Sequence, residues 1–420
     1  MKTVAPPPTS NDHFTEERVC RLCAGADLGL IISLGPQPLA NALPSIHDEV
    51  ELFPLNLMRC PDCGLVQIRE TVSPDILFRN YLYFSSYADT LLENARTLTE
   101  TMVQKGYVKP GDQVVEIGSN DGYLLQFYKD RGIGVLGVEP AANVAEHAKA
   151  ERGIPTKIAF FNKKTAQEIL IEYGPAQVIH ANNVLAHTAD LHSVIEGISI
   201  LLSQDGMTVA EVQYFKDMAD MASFDMIYHE HLCYYILGTF EKLLAKHGLR
   251  IFHAEHIETH GGSLRVFACK RGEHPVSEAV YELKEQERMA GLLNIDFYLR
   301  YAARVEETKK NLLKFLGDLK NRGKMVVAYG AAAKATVMFN YFSIDSTLIR
   351  YVVDRNPHKQ GRFIPGIDLV IRPVEAMKEE CPDFIFLSAW NLAGEIMLQL
   401  EEYAHQGVKF IIPFPEVKIV

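Results

Sequence analysis

Val114-Val115-Glu116-Ile117-Gly118-Ser119-Asn120-Asp121-Gly122-Tyr123-Leu124-Leu125 is the stretch on which the reading of the fold turns. An apolar run closes on an acid, two glycines follow four residues apart, and apolar residues then recur at helical spacing. This is the pattern of a buried strand turning tightly into a helix. Glycine allows both the positive φ and the close backbone approach to a ligand that such a turn needs. A second apolar run, Gly134-Val135-Leu136-Gly137-Val138, ends on Glu139 and Pro140, where an acid is well placed to hold a ribose hydroxyl pair.

A dinucleotide fingerprint wants Gly-x-Gly-x-x-Gly here, because its second glycine lets a pyrophosphate approach. Ser119 and Asn120 occupy that space instead. A ligand without a pyrophosphate, such as S-adenosylmethionine, fits better than NAD. Glu116, Gly118, Asn120, Asp121, Gly122, Glu139 and Pro140 are its expected contacts.

Working outward, strand and helix patterns alternate: strand 113–117, helix to about Lys129, strand 134–138, helix 141–151, strand 176–180, helix near 190–202, strand 207–212. Such alternation builds a parallel sheet covered by helices on both faces. Ligands of open α/β sheets sit at the carboxyl ends of the strands, which puts Asn182, Asn183 and His187 on the correct edge. The denser cluster Tyr228-His229-Glu230-His231 does not match the helical His-Glu-x-x-His of zinc hydrolases. On a strand its two histidines would share a face. It reads as acid/base machinery, with a carboxylate beside a histidine to orient it. His260-Gly261-Gly262 then reads as a turn feeding an edge strand at 263–267.

From Val276 to Leu319 the pattern is helical, with Tyr301, Val305, Thr308, Leu312, Phe315 and Leu319 on one stripe. A second α/β unit follows: strand 325–329, the small-residue turn Gly330-Ala331-Ala332-Ala333-Lys334, and strands at 349–354, 383–388 and 408–413. A helix N-terminus with a lysine is a ready anion site, suited to a nucleotide-sugar diphosphate as well as to a dinucleotide. Asp354, Arg355 and Trp390 stand at strand ends of this unit.

Near the N-terminus, Cys20-Arg21-Leu22-Cys23 and Cys60-Pro61-Asp62-Cys63 form two Cys-x-x-Cys turns. Two such knuckles complete a closed four-cysteine zinc site, which is structural because no coordination position stays open. A redox dithiol or unrelated buried thiols are the competing readings. Pro36, Pro38 and Pro44 suggest a loop-rich insertion between the knuckles. Residues 1–14 read as a loose tail, neither signal peptide nor anchor. At 420 residues and 48% hydrophobic the chain can bury several cores, and a net charge of -11 opposes nucleic-acid backbones. No run has the length of a membrane span, so a cytoplasmic protein is expected, with no membrane partner.

The order of these parts resembles the sugar 3-C-methyltransferases of deoxysugar pathways. The resemblance rests on the four-cysteine knuckles, Tyr81-Leu82-Tyr83-Phe84-Ser85-Ser86, Glu116-Ile117-Gly118-Ser119-Asn120-Asp121-Gly122, Tyr228-His229-Glu230-His231, His260-Gly261-Gly262 and Tyr329-Gly330-Ala331-Ala332-Ala333-Lys334. It implies methyl transfer from S-adenosylmethionine to carbon 3 of a nucleotide-linked 4-keto-6-deoxy sugar. It also implies a structural zinc, with the nucleotide sugar between the middle and C-terminal domains. His231 becomes the expected base, oriented by Glu230, with Tyr228, Tyr81 and His187 sharing the enolate oxygen or relaying the proton. Tyr83, Ser85, His260, Gly261, Gly262, Gly330, Ala331, Lys334, Asp354, Arg355 and Trp390 become expected substrate contacts. The expected division is a tail and zinc-binding domain over 1–80, a Rossmann-like methyltransferase domain over 81–272, a helical connector over 273–320 and a smaller Rossmann-like α/β domain over 321–420. A monomer or weak dimer is expected. The rival readings are an O- or N-methyltransferase, a non-catalytic zinc-ribbon interaction protein and an NAD-dependent dehydrogenase.

Overall fold

A computed structural model describes residues 13–45, 50–78, 84–270, 272 and 274–420, with Phe78 and His260 described in their backbone alone. Tyr81, Tyr83 and the side chain of His260 therefore lie outside the described residues. So does nearly all of the expected tail; Phe14, its last residue, begins a short strand, Phe14–Glu16, paired with Glu70–Val72.

The central sheet has seven strands, in the order Leu249–Ile257, Ser263–Lys270, Leu202–Gln213, Ala176–Asn182, Gln113–Ile117, Gly134–Glu139, Thr156–Ile158. Five of these are parallel, and Val114 through Ile117 are buried, as a strand covered on both faces requires. The sheet departs from the all-parallel expectation at one side. Leu249–Ile257 and Ser263–Lys270 form a hairpin, which a short turn can close only in antiparallel sense. Ser263–Lys270 pairs on both sides, so the outer strand is Leu249–Ile257 and not the one expected. The strand Thr156–Ile158 and helix Lys163–Tyr173, absent from the sequence reading, complete the layer; Asn162 caps that helix by accepting from Thr165 N at 3.0 Å.

The region between the cysteine knuckles is not loop-rich. It holds Gly29–Pro38 and Leu52–Arg59, paired antiparallel in a four-stranded sheet. Pro36 and Pro38 are accommodated because Gly29–Pro38 is an edge strand with a bulge before Pro36. The opposite edge of this sheet is Cys233–Tyr234, which follows directly on the Tyr228–His231 cluster.

The C-terminal sheet has six strands, in the order Ile371–Arg372, Val352–Val353, Val326–Tyr329, Phe384–Leu387, Lys409–Ile412, Lys418–Ile419, with only the last pair antiparallel. Two helices, Glu278–Ala290 and Ile295–Asn321, fill the stretch expected as a connector. The long one buries Tyr301, Val305, Thr308, Leu312, Leu316 and Leu319, so Leu316 takes the place expected for Phe315. It packs on both neighbours: Arg59 lies 5.0 Å from the Tyr298 ring, and Tyr301 Oη donates to Ser223 O at 2.9 Å.

Candidate active site

The turn after Gln113–Ile117 carries three residues at positive φ: Gly118 at 63°, Asn120 at 49° and Gly122 at 78°. A Cβ on Gly118 would lie 2.6 Å from Val184 Cγ2, so glycine is required there by packing as well as by φ. Asn120 holds its left-handed conformation through two bonds, its N–H donating to Glu139 Oε2 at 3.0 Å and its Oδ1 accepting from Ser85 N at 2.9 Å. Ser86 Oγ donates to Asp121 Oδ2 at 2.5 Å. Ser85, expected as a substrate contact, therefore sits against this turn.

Four carboxylates converge under the turn. Burial first, then the charges of Asp121, Glu139 and Glu211, raise the Glu116 carboxyl well above its ordinary range. Glu116 Oε2, Asp121 Oδ1 and Asn182 Oδ1 are buried without a hydrogen-bond partner among the described residues. Glu139 accepts from Asn120 N and Ala141 N, and each carboxylate oxygen keeps a second lone pair for a hydroxyl. Acceptors of this kind suit a ligand that brings cations and hydroxyls, as S-adenosylmethionine does, and would repel a pyrophosphate. Pro140 is half-buried beside Glu139, and Asn183, at φ 57°, donates its N–H to Glu211 O at 2.8 Å.

The histidine cluster lies on turns, not on a strand, so the two-residue face sharing does not apply. The loop is tied to the carboxyl edge of the sheet by Leu232 N donating to Ala186 O at 2.6 Å. His231 Nδ1 lies 2.8 Å from Met226 O, and a carbonyl can only accept, so that nitrogen carries the proton. Nε2 then accepts from Tyr228 Oη at 2.9 Å and is the basic atom. The His187 ring stands edge-on to His231, centroids 4.7 Å apart. Burial lowers His187 to about 4, opposed by a hydrogen bond to the Glu230 backbone, so it is neutral near pH 7. Burial also lowers His229 to about 4; its Nε2 bonds Pro54 O at 3.0 Å. Glu230, expected to orient His231, precedes it on the same loop; its Oε1 accepts from Asn41 Nδ2 at 2.6 Å, and the His231 ring is met by Met226 O and Tyr228 Oη. Gln213, at the end of its strand, also reaches the ring, its Nε2 3.4 Å from the unprotonated Nε2 of His231.

The C-terminal turn combines a lysine with carboxylates. Gly330 has φ 101°, and Ala331 N donates to Asp354 Oδ2 at 2.8 Å. Lys334 Nζ is buried 4.8 Å from the Trp390 ring centroid and donates to Asn391 Oδ1 at 2.9 Å. Trp390 Nε1 donates to Asp225 Oδ2 at 2.6 Å, and a Cβ on Gly261 would lie 3.0 Å from Trp390, so the C-terminal unit closes on the central one here. Gly262, at φ 115°, has no room for a Cβ beside Asp217. Burial pushes Asp225 up to about 6 against the pull of Lys334 and the indole N–H. Arg355 is exposed at the rim. Sequence reasoning missed Asp225, although it stood beside the histidine cluster, and it gave no sign of Gln213 or Asn41.

The four cysteine sulfurs lie within 4.8 Å of one another, with Cys20–Cys63 and Cys23–Cys60 at 3.4 Å. Tetrahedral zinc with bonds of about 2.3 Å needs sulfurs about 3.8 Å apart, so the cluster fits the ion. Leu22 N and Leu65 N point at Cys20 Sγ and Cys63 Sγ, at 3.4 and 3.5 Å, as partners of thiolates.

Comparison with known proteins agrees with this geometry. Residues 20–78 match a zinc binding domain family, 83–254 a methyltransferase domain family and 258–415 the C-methyltransferase C-terminal domain family. The C-methyltransferase NovU of Streptomyces niveus is 34% identical over 405 residues, 96% of each chain. Among solved structures, magnesium protoporphyrin IX methyltransferase of Synechocystis PCC 6803 with bound SAM is 15% identical over 43% of this chain and 79% of its own, with a TM-score of 0.33. An S-adenosylmethionine-dependent methyltransferase of Clostridium acetobutylicum ATCC 824 is 13% identical over 42% of this chain and 91% of its own, TM-score 0.34. Those two likenesses are too partial to carry weight. The match along nearly the whole length of NovU does, and the chain belongs to the S-adenosylmethionine-dependent C-methyltransferases that carry an N-terminal zinc-binding domain.

Proposed function

We propose that the chain methylates carbon 3 of a nucleotide-linked 4-keto-6-deoxy sugar, with dTDP as the nucleotide, in branched deoxysugar biosynthesis. The observation that supports this most is the proton arrangement at His231, whose Nε2 is left basic and paired with a phenol. Carbon 3 lies α to the 4-keto group, so its proton can be removed if the resulting enolate oxygen is stabilised. His231 Nε2 takes that proton. Tyr228 Oη swings its hydrogen to the oxygen, and neutral His187, with Tyr81, shares it. Bound S-adenosylmethionine supplies an electrophilic methyl group, so the protein's remaining task is to align carbon and methyl.

The acidic turn around Gly118 suits the methyl donor. The Gly330 turn, with Lys334 and Trp390, suits the nucleotide diphosphate, with Ala331, Asp354 and Arg355 beside it and Gly261 and Gly262 closing the cleft. In this reading 1–80 carries the zinc, 81–272 the chemistry, 273–320 braces the units and 321–420 holds the nucleotide. The enzyme works in the cytoplasm as a monomer or weak dimer.

Incubating the protein with a panel of 4-keto-6-deoxy nucleotide sugars in deuterated buffer tests the reading. Without the methyl donor, deuterium should enter carbon 3; with it, mass spectrometry should find one added methylene and NMR should place the methyl on carbon 3. His231→Asn should abolish both, leaving donor affinity nearly intact. A 4-ketone has a second α carbon, and methyl or deuterium at carbon 5 would overturn the assigned position. Methyl on oxygen or nitrogen would overturn the enolate.

A further inference from the structure

The proton of His231 is placed by a single peptide group. Met226 O accepts from His231 Nδ1 at 2.8 Å and from Tyr234 Oη at 3.1 Å, which uses both lone pairs of the carbonyl. Met226 lies in a turn closed by Ile227 N donating to Phe224 O at 2.8 Å, with Asp225 and Met226 at its centre. In such a turn the backbone angles of the central pair set the direction of the Met226 carbonyl. Whatever fixes Asp225 therefore fixes the partner of the base.

Residues 223–225 are held by the long helix Ile295–Asn321 and by the C-terminal unit. Ser223 O accepts from Tyr301 Oη at 2.9 Å. The buried Phe224 ring packs against Phe342 and Tyr341, with centroids 4.6 and 5.2 Å away. Asp225 Oδ2 accepts from Trp390 Nε1 at 2.6 Å across 165 residues of sequence, a length characteristic of a charge-assisted bond. Asp225 is fully buried, and a carboxylate there is destabilised without its partner. The indole is itself fixed, by Lys334 Nζ over its face at 4.8 Å from the centroid and by Phe414 edge-on, centroids 5.4 Å apart. We propose that Asp225 is a positioning residue: its bond to Trp390 holds the turn so that the Met226 carbonyl keeps the His231 proton on Nδ1 and leaves Nε2 basic. Contact with the C-terminal unit is then what makes the base competent. This role rests on His231 acting as the base proposed above.

Asp225→Leu in the full-length, zinc-loaded protein removes the bond at similar volume. Nitrogen NMR of histidine-labelled protein, with His231 identified by the signals missing from His231→Asn, reads the tautomer without any substrate. The wild type should show the Nδ1–H form and Asp225→Leu a mixture with the Nε2–H form. Asp225→Asn keeps an acceptor for the indole and should retain Nδ1–H. In Asp225→Leu kcat should fall about tenfold, as misplacement of a reacting group does, with donor affinity within about twofold. Trp390→Phe should lower kcat about fivefold alone but less than about twofold in Asp225→Leu, because its partner is gone. That kcat is read apart from KM, since Trp390 also faces the nucleotide in the proposed reading. An unchanged tautomer in Asp225→Leu, or equal kcat losses from Trp390→Phe in both backgrounds, would overturn the proposal. Should Asp225→Leu not fold, Trp390→Phe gives the same NMR reading with an aromatic ring retained: a mixture supports the role and the Nδ1–H form alone overturns it. Should the wild type turn over no sugar of the panel, the reaction reading fails by itself, and the tautomer still decides whether Asp225 sets the ring.

Discussion

At Gly118 and again at Gly330 a buried strand turns into a helix over a glycine of positive φ, yet only the second has a lysine among its carboxylates. The first turn is ringed by Glu116, Asp121 and Glu139, the second by Lys334 and Trp390. The backbone supplies the same N–H groups in both. In the proposed reading, the side chains around each turn make the first suit a cationic methyl donor and the second an anionic diphosphate. One architecture, used twice in a chain, is in that reading made to suit two unlike ligands.

The contrast can be broken most severely at Gly118. Gly118→Ala places a Cβ against Val184 and strains φ, so donor affinity should fall about a hundredfold, with nucleotide affinity within about twofold; calorimetric titration of each ligand separates the two. Lys334→Met should do the reverse, costing about tenfold in nucleoside diphosphate affinity and leaving the donor untouched. Equal losses of both ligands in either variant would mean that the turns are not independent.

The smallest effect is the most informative about charge. The raised Glu116 carboxyl means that the native state holds a proton the unfolded chain has released, so Glu116 removes stability as pH rises above the ordinary carboxylate range. Glu116→Gln lacks that titration. Its thermal midpoint without ligand should exceed the wild type's by more at pH 8 than at pH 5, with donor affinity down about threefold. A midpoint gain that does not grow with pH would show that the native state does not hold the Glu116 carboxyl above its ordinary range.

Much of this was legible in local sequence. The Gly118 turn declares itself through residues within a dozen positions, and each cysteine knuckle through four. The paired strands Gly29–Pro38 and Leu52–Arg59 were hidden because three prolines read as breakers, whereas an edge position and a bulge accommodate two of them. The Leu249–Ile257 hairpin misled the reading of the sheet edge because alternation marks a strand without naming its neighbours. Asn41 could not have been found this way. Its meaning lies in a contact with Glu230, and no periodicity records a partner that far along the chain.

The four cysteines bear on how the enzyme meets acid. Cys63 donates to Cys20, which holds the Cys20 thiol low and the Cys63 thiol high, so a chain without metal keeps protons between its sulfurs. Zinc binds thiolates, and its uptake must expel those protons. Protons and metal thus compete for the same four atoms, and acidification favours the protons.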